Sequence, residues 1–306
     1  MAQSIASAVG LTWPTEDFSR VPYGIFTSQD VFEREQELIF RGRVWCYLAL
    51  EAEVAEPGDY KTSFVGDTPV VVCRSTDGRL NAFVNRCAHR GTLLVRDLAG
   101  LLHQFQTTFG IYRNTQEGGS IFDQKRRHEV HYSTLDTDDE ETISEGYDGV
   151  SAFNAEFTLE DPSLIDYHDE IGDNRAICMM SVFPNLMIQQ LSNSLATRQI
   201  RPRGPSEFEL YWTYFSFADD TPEIRAMRLR QINMVGPAGL VSMEDGEVGR
   251  LVQLGIRSEP EFHSVIEMGG TGPIENQDTP LTEVPVRGFW KNYCELMGYE
   301  ATGGGT

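Results

Sequence analysis

The spacing of apolar side chains changes along the chain, from a helical period to strand-like runs and back to helices. Apolar positions at helical spacing over residues 28–41, after a Ser/Asp start, predict an amphipathic helix. From Trp45 the residues become β-branched and aromatic, beginning with the stretch CYLAL, and the last two runs flank Asp77-Gly78. An Asp-Gly pair in this setting is typical of a β-hairpin. The pattern predicts a small antiparallel β domain over residues 45–98.

The second half of the chain predicts a longer sheet followed by helices. Two strand-like runs, AICMMSVFPNLMIQQLSNSLATRQIRP and FELYWTYFSFA, are separated by a Gly-Pro turn at residues 204–205. A helix start at residues 220–223 leads into two helical stretches that break at residues 236–239 and end near Leu254. Further helices are predicted over residues 101–115 and 287–299. Strands followed by gathered helices predict an α+β fold with an antiparallel sheet.

Composition limits the classes of partner. The chain carries 46 acidic against 25 basic side chains, a formal net charge of −21. Nucleic acids and anionic membranes require clustered positive charge, so neither is an expected partner. No apolar run reaches the length of a membrane span, residues 1–18 lack the features of a signal peptide, and five scattered cysteines suit a reducing compartment. We expect a soluble cytoplasmic protein, in which an anionic substrate would need dedicated arginines.

Cys87 and His89 form the first candidate metal site. They follow the predicted hairpin as Cys-x-His, a place from which both side chains can point at one metal or cluster. A packed cysteine beside a surface histidine is the alternative. His103, which follows two leucines, is a weaker candidate because a lone histidine beside apolar residues is more often structural. Two other histidines lie in the strand-like stretch HEVHY, and nothing in their setting distinguishes them.

Asp245 is a candidate because of its neighbours at helical spacing. If residues 240–254 are helical, Asp245 shares a face with Val241, Val248 and Val252. A carboxylate on an apolar face must be paired, protonated or bound to a metal, since an isolated buried charge is too costly. A salt-bridged aspartate at the rim of the core is the alternative explanation.

Arg198 and Arg287 are candidate anion-binding residues. Arg198 lies in the strand-like stretch NSLATRQI, and Arg287 lies at a predicted helix start in PVRGFW. A half-buried arginine needs an anion, either a protein carboxylate or a ligand carboxylate held by two parallel hydrogen bonds. Both alternatives stay open on these residues alone.

These features occur together in a recognisable order from about residue 20 to residue 299. The chain is similar to the large (α) subunit of Rieske-type non-haem iron aromatic ring-hydroxylating oxygenases. The resemblance is strongest to the branch acting on aromatic carboxylates, the salicylate hydroxylases and the terephthalate and anthranilate dioxygenases. The stretches that carry it are VPYGIFT, VWCYLALEAEVAEPGDY, NRCAHRGTLL, LLHQFQTTF, VFPNLMIQQLSNSLATRQI, GPAGLVSMEDGEV and VRGFWKNY.

The resemblance implies roles for the candidate residues. Cys87 and His89 match the first Cys-x-His arm of the Rieske [2Fe–2S] cluster, in which two Cys hold one iron and two His the other. His103 matches the second histidine of the motif that binds the mononuclear Fe(II), and Asp245 matches the carboxylate of that two-His, one-carboxylate triad. Arg198 and Arg287 are expected to grip a substrate carboxylate.

The resemblance also implies an architecture and partners. We expect an N-terminal helical segment over residues 1–44, a partial Rieske domain over 45–100 and a helix-grip (START-like) catalytic domain over 101–306. Electrons from NAD(P)H would pass through a reductase, a ferredoxin or both to the cluster and then to Fe(II), where O2 is added to an aromatic carboxylate. A homotrimer, or an α3β3 assembly with a small subunit, is the expected oligomer.

The chain departs from the family pattern in its centre. The second cluster arm, a Cys-x-x-His, is absent, since no cysteine lies between Cys87 and Cys178, and the first iron histidine is missing before His103. A segment of about a hundred residues that holds these ligands is missing around Gly100. Because both flanks match the family, omission of a segment is favoured. The alternative is a truncated, non-catalytic homologue that binds an apolar ligand or forms an oligomer.

Overall fold

The computed structural model describes residues 11–86, 115–123, 128–135, 159–257 and 261–301, and the predicted α+β class is confirmed in them. These residues form three antiparallel sheets of two, three and six strands, with helices gathered along the second half of the chain. The predicted domain boundaries at residues 44 and 100 stay a prediction. In the part of the chain that is described, no helix combines the length and apolar character needed to cross a bilayer.

The N-terminal segment forms strand β1 (Arg20–Pro22) and helix α1 (Gln29–Glu35), which continues as a π-helical turn through Phe40. Ser28 caps α1, because its Oγ accepts a hydrogen bond from the Val31 amide at 3.3 Å. The helix predicted over residues 28–41 is therefore confirmed.

The small β domain is a three-stranded meander of β2 (Tyr60–Val65), β3 (Thr68–Arg74) and β4 (Leu80–Val84). The predicted hairpin is present, and Gly78 in its turn has a φ of +81°, which favours glycine. The expectation of a strand in the stretch CYLAL is wrong, since these residues form no strand. Tyr47 there exchanges backbone hydrogen bonds with the Asn185 side chain, at 3.0 and 3.1 Å, instead of joining a ladder.

The six-stranded sheet is built from strands that pair in chain order, each with the next. The turn predicted at residues 204–205 is confirmed. The short helix expected over residues 101–115 lies outside the described residues, except that Thr115 begins the first strand of this sheet. The strands are β5 (Thr115–Asp123), β6 (His128–Leu135), β7 (Arg175–Val182), β8 (Leu186–Leu191), β9 (Ser194–Gly204) and β10 (Glu207–Phe215).

Two helices, α2 (Pro222–Val235) and α3 (Leu240–Ile256), follow the sheet as predicted. Thr221 caps α2, accepting from the Ile224 amide at 3.4 Å. Strand β11 (His263–Val265) then pairs with β1, and helix α4 (Val284–Met297) ends the described chain. Helix α4 begins three residues earlier than expected, at a Val-Pro start, and ends at Gly298, which takes a left-handed conformation.

A buried arginine fixes α2 to the sheet. Arg228 is 4% exposed, and its guanidinium pairs with Asp220 at 2.8 Å and with Glu170. The same group donates to the carbonyl of Asn193, in the turn between β8 and β9. Since a buried charge is tolerated only when paired, this network holds α2 in one orientation over the sheet.

The two ends of the chain meet in an aromatic core. Trp13 is 1% exposed and lies 5.6 Å from Trp290 of α4, ring centroid to ring centroid. The Tyr293 hydroxyl donates to Glu35 of α1 at 2.5 Å. Burial raises the pKa of the Glu35 carboxyl to about 7, although the Tyr293 hydrogen bond opposes that rise. The contact between α1 and α4 therefore contains a group that titrates near neutral pH.

We expect this carboxyl to make stability depend on pH. The folded-state pKa of Glu35 lies above its unfolded value, so its contribution is complete below about pH 4.5 and is lost as pH rises through about 7. Glu35→Gln should remove this loss, which is on the order of 3 kcal/mol. Urea unfolding between pH 5 and 8 measures it. Glu33→Gln, an exposed neighbour, is the control, and an unchanged pH slope in Glu35→Gln would contradict the assignment.

Candidate active site

The face of the six-stranded sheet that packs against α2 carries the candidate site. Ile177 and Leu191 on this face form a core with Met234 and Val235 of α2. We call this surface the inner face. The pairing register places on it two neighbouring rows that run across the strands. One row contains Trp212, Arg198, Met187, Ser181 and Glu129, and the other contains Tyr214, Ala196, Gln189, Met179, His131 and Ser120.

Arg198, one of the two arginines predicted to bind an anion, lies on the inner face. Its Cζ lies 4.1 Å above the centroid of the Trp212 ring, and it donates a hydrogen bond to the Oε1 of Gln189. The Gln189 side chain is 1% exposed. A guanidinium stacked on an indole and bonded to a buried amide has a defined orientation, which a lysine could not reproduce.

Asp245 lies on α3, within electrostatic range of Arg198. Burial raises the pKa of its carboxyl, the positive charge of Arg198 opposes this, and Glu244 adds to it. Asp245 is an exposed residue, so the expectation that it lies on a buried apolar face is wrong, and its desolvation is only partial. The positive charge of Arg198 on the sheet therefore acts on the carboxyl of Asp245 on the helix.

The apolar face expected around Asp245 is only partly buried. Val241 packs against the core under α2, but Val248 and Val252 are each more than half exposed, as are Leu251 and Leu254. The expectation of a buried stripe along α3 is therefore wrong for the second half of the helix. Among the described residues, no element covers those side chains.

Arg287 has structural partners. It is 1% exposed in the first turn of α4, and its two terminal nitrogens donate to the backbone carbonyls of Asp17 and Gly272 at 3.1 and 2.9 Å. These bonds connect α4 to both the N-terminal segment and the loop after β11. Its role in gripping a substrate stays a prediction, and none of these contacts joins it to Arg198.

The remaining predicted ligands, Cys87, His89 and His103, lie outside the described residues. Within the described ranges, no group of three or more His, Cys, Asp or Glu side chains is placed to hold a metal. A Rieske cluster and a two-His, one-carboxylate iron together need seven protein ligands. The sequence offers four candidates, so the donor set completes neither centre.

Comparison with known families decides the identity of the chain. The family "Ring hydroxylating alpha subunit (catalytic domain)" matches residues 88–299, and the Rieske [2Fe-2S] domain family matches residues 44–107. The chain belongs to the ring-hydroxylating α-subunit family. Members are Rieske oxygenases, oxidoreductases that incorporate O2 into aromatic substrates, and the two domains imply a [2Fe–2S] cluster and a mononuclear iron supplied with electrons by a reductase.

Three relatives align over nearly their whole length. The anthranilate 1,2-dioxygenase large subunit of Burkholderia cepacia is 34% identical, covering 94% of this chain and 95% of the relative. The terephthalate 1,2-dioxygenase terminal oxygenase component subunit alpha 2 of Comamonas sp. is 31% identical, with 95% and 98% covered. The salicylate 5-hydroxylase large oxygenase component of Ralstonia sp. is 28% identical, with 94% and 96% covered.

Solved structures confirm the fold. Naphthalene 1,2-dioxygenase from Rhodococcus sp. superposes with a TM-score of 0.65 at 16% identity, covering 92% of this chain and 95% of that one. A quaternary ammonium Rieske monooxygenase superposes with a TM-score of 0.64 at 14% identity, with 91% and 95% covered. The α+β arrangement of a Rieske β domain and an antiparallel catalytic sheet is thus shared with both.

The alignment with the anthranilate enzyme also contains positions that this chain lacks. The match to the anthranilate enzyme spans 406 positions, but 94% of this 306-residue chain is about 288 residues, so about 118 aligned positions hold no residue of this chain. That length agrees with the segment of about a hundred residues expected to be missing around Gly100.

Several inner-face residues escaped the sequence analysis. Gln189, Trp212 and Glu129 were not selected, although strand alternation would have placed each on one of two faces. Alternation does not say which residues are opposite each other across strands, since that depends on register. His131 lies on a strand, as the stretch HEVHY suggested, and its Nδ1 is 2.9 Å from the Ser120 hydroxyl.

We expect the Arg287 side chain to stabilise the fold. Arg287→Met keeps the bulk of the buried side chain but removes two hydrogen bonds to backbone carbonyls, which should lower the free energy of unfolding by about 2–4 kcal/mol. Urea unfolding measures this, with Arg225→Met on the exposed side of α2 as the control. A stable Arg287→Met protein with weakened binding of aromatic acids would instead support the substrate role.

Proposed function

We propose that this chain is the oxygenase component of a multicomponent system that hydroxylates an aromatic carboxylate. The observation that carries the proposal is the position of Arg198 on the inner face, stacked on Trp212 and bonded to Gln189. An oriented guanidinium is the group that recognises a carboxylate through two parallel hydrogen bonds.

The overall charge of the chain strengthens this assignment. A formal charge of −21 repels anions in general, so an anionic substrate is bound only where a local cation overcomes that field. Arg198 is held in such a place, among half-buried side chains where charge interactions are stronger than in water. Each of the three aligned relatives is named after an aromatic carboxylate: anthranilate, terephthalate or salicylate.

The residues of this chain contribute binding and orientation. Arg198 holds the carboxylate, and the thioethers of Met179 and Met187 offer an apolar floor on which an aromatic ring can lie. When bound, the cluster and the iron supply electrons and activate O2. We propose that the missing ligands belong to a segment between Gly100 and Leu101 in the complete protein.

Partners and location follow from the same family. We propose that a reductase, alone or with a ferredoxin, delivers electrons that originate from NAD(P)H. We further propose a homotrimer, or an α3β3 assembly with a small subunit, and a cytoplasmic location. The incomplete donor set supports one other candidate, a metal-free homologue that only binds a ligand or a partner copy.

We expect Arg198→Gln to weaken benzoate binding roughly 10- to 100-fold, because a charge-assisted hydrogen bond is lost. Arg198→Lys should restore only part of the affinity, since its ammonium cannot form the bidentate pair. Titration calorimetry with benzoate and with uncharged benzamide measures the effect, which should be confined to benzoate. Arg203→Gln, a half-exposed arginine paired with Glu209, is the control. Unchanged benzoate affinity in Arg198→Gln would overturn the proposal.

Metal analysis separates the two candidate functions. The 306-residue chain should retain little iron, because four candidate ligands cannot complete two centres that need seven. A chimera with the corresponding anthranilate dioxygenase segment inserted between Gly100 and Leu101 should contain about three iron and two sulfide per chain. Iron and acid-labile sulfide assays with an absorption spectrum report both results. A full complement in the 306-residue chain would contradict this account, and an iron-free chimera would favour the metal-free homologue.

A further inference from the structure

A second polar group lies on the inner face, on the far side from Arg198. Glu129 of β6 accepts a hydrogen bond from the Ser181 hydroxyl at 2.9 Å through its Oε1. Its other oxygen, Oε2, is buried and has no hydrogen-bond partner among the described residues. A buried acceptor without a donor costs free energy, so this oxygen is suited to a donor supplied by a ligand.

The other end has a matching free donor. Gln189 uses its Oε1 to receive Arg198, and its Nε2 is buried without an acceptor among the described residues. With the Arg198 guanidinium beside it, this amide can donate to the second oxygen of a bound carboxylate. Gln189 is therefore a positioning residue for Arg198 and a second contact for the same ligand group.

The distance between the two ends fits one substituted ring. Gln189 on β8 and Glu129 on β6 are two strands apart, which is about 10 Å between backbones. The positions between them hold Met179, Met187 and Ser181. An aromatic acid with its carboxylate at Arg198 and Gln189 places its ring over the thioethers and the opposite substituent at Glu129.

We propose that Glu129 makes the site selective for aromatic carboxylates that carry a hydrogen-bond donor, an amine or a hydroxyl, opposite the carboxylate. The same charge repels a second carboxylate at that position. This inference rests on the proposed binding of aromatic carboxylates by Arg198, and adds which ring substituent is preferred. It assigns the selectivity to an acceptor at one end of the site and the anchoring to a cation at the other.

The test compares four ligands, benzoate, 4-aminobenzoate, 4-hydroxybenzoate and terephthalate, by titration calorimetry. The wild-type chain should bind 4-aminobenzoate and 4-hydroxybenzoate more tightly than benzoate, and should bind terephthalate more weakly than benzoate. Glu129→Gln should lower the preference for 4-aminobenzoate over benzoate roughly tenfold, because a hydrogen bond to a charged acceptor is lost. In Glu129→Gln, terephthalate should bind more tightly, because an amide donor replaces the repelling charge. In Glu129→Leu, the preference for the amine should be lost, and terephthalate should gain less than in Glu129→Gln, because the repulsion is removed but no donor is supplied.

Controls separate this inference from the proposed function. Glu209→Gln, which removes a carboxylate paired with Arg201 on the opposite face of the sheet, should leave all four affinities unchanged. Near-UV circular dichroism checks that each variant is folded. One outcome would overturn the inference alone: benzoate affinity depends on Arg198, but the relative affinities of the four acids are unchanged in the Glu129 variants. Absence of binding for all four acids would overturn both the inference and the proposed function.

Discussion

The pairing register of the six-stranded sheet is the constraint on which the binding face depends. Each strand alternates its side chains between two faces, so a slip of one residue would exchange every inner residue of that strand for an outer one. In the observed register, Arg198 shares a row with Trp212, and Gln189 stands one strand away within reach of the guanidinium. Neither interaction would survive a change of pairing.

The guanidinium on the inner face is positively charged, whereas the molecule as a whole is strongly negative. With 46 acidic side chains in the chain, a single oriented guanidinium must make a local region attractive to an anion. The Trp212 ring and the Gln189 amide, both uncharged, hold that guanidinium in one orientation on the inner face. Asp245 on α3 interacts with it only at longer range, through its field.

Two arginines that look alike in sequence have different surroundings in the fold. Arg287 is enclosed by α4, the N-terminal segment and the loop after β11, and its two terminal nitrogens donate to backbone carbonyls. Arg198 lies half-buried on a face whose neighbouring polar atoms are partly unpaired. Apolar flanking residues predicted burial for both, but the partners that distinguish them come from segments distant in sequence.

By itself the sequence determined the elements and the family. Caps, turn residues and apolar periodicity are local, so α1, the β2–β4 meander, α2 and α3 were predicted, and the motifs around Cys87 and Asp245 identified the ring-hydroxylating family. Only the tertiary structure decided that the CYLAL stretch bonds to Asn185 rather than to a strand, that the second half of α3 is exposed, and that Glu129 faces the same surface as Arg198. These depend on long-range packing and register, which no local pattern encodes.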